Sequence, residues 1–378
     1  MSTEVSTIAQ HYNQLGQSDV EKRKQSPIYY LRSFNNWTKS VLINEALDIL
    51  RKDNRGRRIR VLDFCCGKGG DLQKWIIGNV NYVVFADIAE VSVQQAENRY
   101  RDRRRNRRIF EAEFIVADLC HDKLSPKLRN PSQMFDLVSC QFSFHYSFET
   151  YERAERMLRN ACDRLAPGGL FIGTIPDAHE IMRRLHSSPA ETFGNDIYRV
   201  KFNSKDPAPL FGAKYHFYLQ EHVDCPEFLV FFPVLMKMAE KLGMTLLVRS
   251  TFSEFFEEHR QNQKYKELMH RMQALEKYSH TPDSEEEYSH AEAEIDRLVQ
   301  LGISNPVVVS SRGSRAFTSF ICFVRNLLLG LFFRVLCRSP NGKWLPCTAS
   351  SSSRKQNEAR CNLSSDTQLY VQNLTGPN

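Results

Sequence analysis

RIRVLDFCCGKGGDL, residues 58–72, is the stretch on which the fold turns. Its first half is a short run of branched and aromatic residues ending at Asp63 and Phe64, the composition of a buried strand. Gly67, Gly69 and Gly70 then let the backbone turn tightly, and a helix start follows at Asp71 and Leu72. Strand, glycine turn and helix in that order form a βα unit whose turn can receive a nucleotide moiety. Asp87 ends the next apolar run, NYVVFAD (81–87), twenty positions beyond Gly67. At that separation a carboxylate meets the hydroxyls of a bound ribose. The turn departs from the dinucleotide-binding GxGxxG pattern, because a cysteine fills the first glycine position. A nucleoside without a pyrophosphate, of which S-adenosylmethionine is one, suits it better.

Outward from this unit the chain alternates. Upstream, SVLINEALDILRK (40–52) carries apolar residues at helical spacing. Downstream, strands are expected at 113–118 (EFIVAD), 134–142 (MFDLVSCQF) and 169–175 (GLFIGTI), with helices near 89–100 and 150–164. Pro167, Gly168 and Gly169 mark the boundary after the second of these helices. Such βαβα order, with Val-, Ile- and Phe-rich strands, predicts a mostly parallel, doubly wound sheet covered on both faces. Past 176 short alternating runs at 197–202, 214–219 and 227–232 predict a strand insertion that forms a lid, followed by a helix from Pro233 to about Leu242. TLLVRS (245–250) reads as a sixth core strand, and 253–301 as a charged helical lobe. No repeat of solenoid spacing is present.

Composition sets the class. With 378 residues, 42% hydrophobic and 25% charged, the chain can bury a full core and is not a disordered polymer. Its net charge of +7 is concentrated in RYRDRRRNRRIF (99–110), seven arginines against one acid. That run is either a solvated helix end or a contact for phosphates. The ten cysteines show no paired CxxC spacing, which disfavours zinc and a disulfide framework, so no metal is expected. The polar start MSTEVSTIAQHYNQ is unlike a signal peptide, and a reducing cytoplasmic or nuclear compartment is expected. FTSFICFVRNLLLGLFFRVLC (317–337) is apolar but interrupted by Arg325 and Arg334, so a membrane span is not expected; a last strand near 317–324 is. The domain reading is a polar segment over 1–25, a catalytic domain over 26–324 and a poorly ordered tail over 325–378.

SPIYYLRSFNNWTKSVLI (26–43), VLDFCCGKGGDLQKW (61–75), ADIAEVSVQQAENRY (86–100), CQFSFHYSFE (140–149), ETFGNDIYRVKF (191–202), PLFGAKYHF (209–217) and PEFLVFFP (226–233) together resemble one family. It is the cellular mRNA cap guanine-N7 methyltransferases, and the likeness runs from about His11 to Leu301. FNNW and CQFSFHYSFE are specific to it. The resemblance implies the Rossmann-like class I methyltransferase fold, S-adenosylmethionine as methyl donor, capped RNA as substrate and the nucleus as location. It implies that Lys39, Cys65, Gly67, Asp87, Asp118, Gln141 and Tyr146 hold the donor. Asn35, Asn36, Lys68, Lys74, Arg99, His145 and Glu227 match positions that meet the cap. It further implies a small activating subunit on the lobe over 253–301.

The residue types agree with those roles. Arg and Lys suit a triphosphate bridge, and Glu227 can accept from the N1 and N2 edge of guanine. Blander roles fit some of them as well. Asn35 and Asn36 ahead of Trp37 have the pattern of a helix N-cap, His145 of a core histidine and Lys74 of a solvated helix lysine. The chain departs from the family at Cys65, where relatives carry glycine, and after about 324. Two other readings stay open at this point: an isoform that only binds RNA or a partner, and a methyltransferase acting on another nucleotide or small molecule.

Overall fold

The structure is a computed structural model. It describes residues 9–11, 13, 24–52, 56–195, 197–206 and 208–275, and the backbone of 331–337. The order is α1 (Tyr29–Arg51), β1 (Arg60–Phe64), α2 (Leu72–Ile77), β2 (Tyr82–Asp87), α3 (Glu90–Asn106), β3 (Glu111–Val116), β4 (Phe135–Gln141), α4 (Tyr151–Cys162) and β5 (Leu165–Ile175). After it come α5 (Ala178–Ser187), β6 (Thr192–Gly194), β7 (Tyr198–Lys201), β8 (Lys214–Leu219), β9 (Val223–Phe228), α6 (Phe232–Lys241), β10 (Met244–Ser250), α7 (Phe252–His259), α8 (Gln263–Met272) and β11 (Leu331–Cys337).

Seven strands form one sheet in the order β10-β11-β5-β4-β1-β2-β3. The pairs β1–β2, β1–β4, β2–β3 and β4–β5 are parallel, while β11 runs antiparallel to both β5 and β10. Strands β1, β2 and β4 are buried almost throughout because helices cover both faces. The alternation of a strand splits its side chains between two cores. Val61, Val83 and Phe85 join α1 on one side, while Leu62, Val84 and Ala86 join α4 on the other. Helix α1 buries Leu31, Phe34, Trp37, Val41 and Leu42 at the spacing that places one stripe against the sheet.

The remaining strands form a separate antiparallel sheet, β6-β7-β8-β9, with Tyr215, Phe217 and Leu219 of β8 turned inward. Helices α7 and α8 dock on α1. The Trp37 indole donates to the Tyr265 carbonyl at 2.9 Å, and Phe34 and Trp37 pack against the Phe256 ring. His259 Nε2 lies 2.8 Å from Glu45 Oε1, and its other ring nitrogen is 2.7 Å from the Phe255 carbonyl oxygen. No helix among the described residues is long and apolar enough to cross a membrane.

Several elements differ from the sequence expectation: the helix expected over 40–52 already begins at Tyr29, and α5 and β6 were not foreseen. Strand β5 begins at Leu165, not 169, because Pro167, Gly168 and Gly169 are accommodated as an irregularity in its pairing with β4. Strand β9 spans Val223–Phe228 and is followed by α6, so the apolar run 227–232 supplies a strand end and a helix start rather than one strand. Asn35 and Asn36 sit inside α1, whose N-cap is Ile28, so they are not capping residues. The strand that completes the sheet is Leu331–Cys337, within the segment expected as tail. Its backbone answers the unpaired edges of both β5 and β10, which a buried sheet requires. The expected strand over 317–324, the lobe beyond 275, most of the polar segment 1–25 and the rest of the tail lie outside the described residues.

Candidate functional site

The candidate positions gather at the carboxyl ends of the parallel strands. Cys65 follows β1, Asp87 ends β2, Asp118 lies just past β3 and Gln141 ends β4. In an open α/β sheet this edge, at the point where strand order reverses, is where ligands bind. Here the reversal falls at β1, between β4 and β2.

The turn after β1 has left-handed backbone at Cys65 (φ 51°), Gly67 (φ 50°) and Gly69 (φ 72°). Glycine is needed at position 69 for a second reason: a Cβ there would lie 3.1 Å from the Cβ of Ala96 on α3. At Gly67 an added Cβ meets nothing within 4 Å, so this part of the turn faces open space. Cys65 adopts the left-handed region without glycine's freedom, a strained choice for an L side chain. Its thiol pairs with Cys140, and that contact, with burial, holds the thiol protonated far above its usual range.

Asp87 ties the turn to β2. Its Oδ2 accepts from the Gly67 amide at 2.8 Å and its Oδ1 from the Ala89 amide at 2.9 Å. The residue is only 8% exposed, and burial pushes its carboxyl up despite these donors. Each oxygen keeps lone-pair capacity for a ligand hydroxyl.

Beneath the turn lies a cluster of charges. Asp71, at the start of α2, receives Lys39 Nζ of α1 at 2.9 Å and Lys74 Nζ at 2.8 Å. Lys74 also donates to Asn36 Oδ1. Burial alone would raise the Asp71 carboxyl, but the two ammonium groups outweigh it and hold it far down. Asp63 beside it goes the other way: burial, then the charge of Asp71, push it up to about 8 against the Trp75 indole N–H, which donates at 2.9 Å. Lys74 is therefore a buried, paired lysine rather than a solvated one. Burial lowers its ammonium, and the Asp71 charge opposes that.

A second group forms where β8 and β9 meet the short 3-10 turn Phe144–Glu149. Glu227 is 6% exposed, accepting from the Tyr215 hydroxyl at 2.7 Å and the Tyr146 hydroxyl at 3.3 Å. His145 Nε2 stands 3.3 Å from the same carboxylate. Burial would raise this carboxyl, but the imidazole and the two hydroxyls hold it below the usual range, so it is ionised. Among the described residues His145 Nδ1 and Asn35 Oδ1 are buried without a hydrogen-bond partner. Asp118 accepts from the Cys120 amide at 2.9 Å, and its other oxygen lies 3.5 Å from the Arg153 guanidinium. The Gln141 amide is held by Ser139 at 3.0 Å and Thr174 at 3.1 Å. Arg99 of α3 donates to the Lys68 carbonyl at 2.8 Å.

The geometry thus joins Lys39, Asn36, Lys74, Gly67 and Asp87 around the turn, and His145, Tyr146 and Glu227 in the second group. Tyr146, expected with the donor, makes its described contacts in the second group. Gln141 spends its side chain inside the sheet. Sequence reasoning passed over Asp71, which lies within the quoted motif, and Tyr215, within KYHFYL. It also missed His222, at the β8–β9 turn. Burial, then the charges of Arg32, His11, Lys39 and Lys68, push that imidazole down to about 4.

The strand order, the glycine turn at the reversal point and the carboxylate ending β2 define a class I S-adenosylmethionine-dependent methyltransferase fold. The model of the mRNA (guanine-N(7))-methyltransferase domain matches residues 2–300. The chain is 45% identical over 294 residues to a Drosophila melanogaster protein named mRNA cap guanine-N(7) methyltransferase, covering 75% of this chain and 68% of that one. A Caenorhabditis elegans protein of the same name is 42% identical over 301 residues, covering 77% and 78%. mRNA cap guanine-N(7) methyltransferase 1 of Oryza sativa subsp. japonica is 41% identical over 278 residues, covering 71% and 73%. This chain belongs to the mRNA (guanine-N(7))-methyltransferase family.

Proposed function

We propose that the chain transfers a methyl group from S-adenosylmethionine to guanine N7 of the mRNA 5′ cap, converting GpppN-RNA to m7GpppN-RNA. The observation that carries this is the Gly67 amide on the Asp87 carboxylate at 2.8 Å, which makes turn and acid one nucleoside-binding unit. The open space at Gly67 and the spare lone pairs of Asp87 and Asp118 fit that donor. Lys39, Cys65, Gly67, Asp87 and Asp118 line its place, and the family resemblance adds Tyr146 and Gln141, the latter at the end of β4 with its side-chain amide tied to Ser139 and Thr174. Asn35, Asn36, Lys68, Lys74, Arg99, His145 and Glu227 hold the cap.

When bound, S-adenosylmethionine supplies an electrophilic methyl on a sulfonium. Guanine N7 has a lone pair and no proton to lose, so no residue is assigned as general base or acid. The residues work by placement, which can remove roughly 7–11 kcal/mol of barrier. The ionised Glu227 accepts from the N1 and N2 edge of the base and attracts it more strongly as the ring gains positive charge, an interaction favouring the transition state.

Labelled methyl transfer to capped and uncapped RNA tests the reading; transfer only to the capped form is expected. Thermal-shift titration with S-adenosylmethionine, S-adenosylhomocysteine and a cap dinucleotide gives an independent measure, and no shift from any of them would sink it. Two further parts of the proposal come by resemblance: a small activating subunit on the lobe that includes α7 and α8, checked by co-elution, and work in the nucleus, checked by fractionation.

A further inference from the structure

We infer that the exposed arginine face at the C-terminal end of α3 is a track for the RNA chain downstream of the cap triphosphate; this deepens the proposed function and rests on it. The track begins at a contact already described, the Arg99 guanidinium on the Lys68 carbonyl at 2.8 Å. That contact sets the guanidinium against the backbone of the glycine turn. From Arg99 the helix continues to Asn106. Arg103 stands on the same face one turn on, ~6 Å further, and the helix ends ~10 Å from Arg99. The backbone is extended at Arg107, carrying Arg107 and Arg108 farther in sequence from the turn. At ~3.4 Å per stacked nucleotide the helical part alone spans roughly three nucleotides.

Ordinary roles account for only part of the run. Arg101 pairs with Glu97 at 2.7 Å, Arg105 with Asp102 at 3.3 Å, and Arg104 lies over the Tyr100 ring. Cations in the last turn also complement the helix dipole, but that effect fades within the turn. Arg103, Arg107 and Arg108 are exposed, and among the described residues no ion pair involves them; two of the three lie past the helix end. Like charges this close repel one another unless a polyanion runs alongside. Under the proposed function an RNA chain already starts at Lys68 and Arg99, so it is the polyanion in position.

The test measures methyl transfer to a GpppG dinucleotide and to a capped transcript of about ten nucleotides, longer than the roughly three the helix spans. Wild type is compared with the triple variant Arg103→Glu, Arg107→Glu, Arg108→Glu and with the corresponding triple alanine variant. The expected result is a transcript KM raised about tenfold or more, with the dinucleotide KM within about twofold. The salt slope of transcript binding should become shallower by roughly 2, from three phosphate contacts at ~0.7 each. Unchanged kcat on the dinucleotide and unchanged Tm show that the fold is intact. An unchanged transcript KM overturns the track and leaves an acidic protein as the remaining occupant. Equal KM changes on both substrates overturn it as well. Wild type inactive on both substrates overturns the underlying function, and the track with it.

Discussion

The glycine turn and the Glu227 pocket lie at the same edge of the molecule but are built from different material. The turn is mostly main chain: the amides of Gly67 and Ala89 fix Asp87, and left-handed backbone at Gly67 and Gly69 shapes the loop. The pocket is all side chain, with Tyr146 and His145 from the 3-10 turn and Tyr215 from β8 converging on Glu227 from β9. A main-chain device tolerates side-chain change but not a change in backbone freedom. A side-chain device fails at the first truncation, because each partner left behind is buried and unsatisfied.

Breaking the pocket should have the larger effect. Glu227→Ala removes a buried, ionised acceptor and strands Tyr215; the expected loss is ~1.5–3 kcal/mol, read as a cap Kd raised by one to two orders of magnitude with the donor Kd unchanged. Asp87→Ala is the matching break in the turn, with the donor Kd raised about tenfold and the cap Kd nearly unchanged, both by calorimetry. Should the two constants move together in both variants, the division into two devices is wrong. Cys65→Gly sharpens the comparison from the other side: relief of left-handed strain of ~1–2 kcal/mol, offset by the added freedom of glycine in the unfolded chain, ~0.4–1 kcal/mol. A rise of a few degrees in Tm and tighter donor binding are expected, and a fall in Tm would show that the Cys65–Cys140 contact outweighs the strain.

The smallest effect tests the packing of α7 on α1. Burial disfavours the His259 cation, but Glu45 outweighs that and raises the imidazole above its usual value. A raised folded value means that the pair's stabilisation is complete below ~6.5, the unfolded histidine value, and is lost as pH rises through the folded one. Tm measured across that range should therefore decline more in wild type than in His259→Gln. Equal slopes would remove the pair from the account.

The turn was legible in the sequence for the reason it is robust: its chemistry is local, so Gly67, Gly69 and the acid twenty positions on announce it. The parallel strands were legible too, since burial on both faces leaves continuous apolar runs. The pocket showed only through family resemblance, because Tyr215, Glu227 and His145 come from distant segments and no spacing links them. Asp71 went unnoticed inside a quoted motif, since a carboxylate at a helix start has an ordinary reading. The last strand was misplaced within an apolar stretch of 21 residues, where several registers satisfy hydropathy equally and only pairing with β5 and β10 selects one.

Asp71 has one further consequence. A single carboxylate serves Lys39, proposed to face the donor, and Lys74, proposed to face the cap, so whatever draws one lysine away leaves more of the negative charge to the other. Such sharing makes occupancy at the two sites a thermodynamic cycle: if a cap analogue changes donor affinity by some factor, the donor must change cap affinity by the same factor. Titrating each ligand with and without the other in wild type and in Asp71→Asn would measure that reciprocity, and an unchanged coupling in the variant would assign the conversation between the sites to other residues.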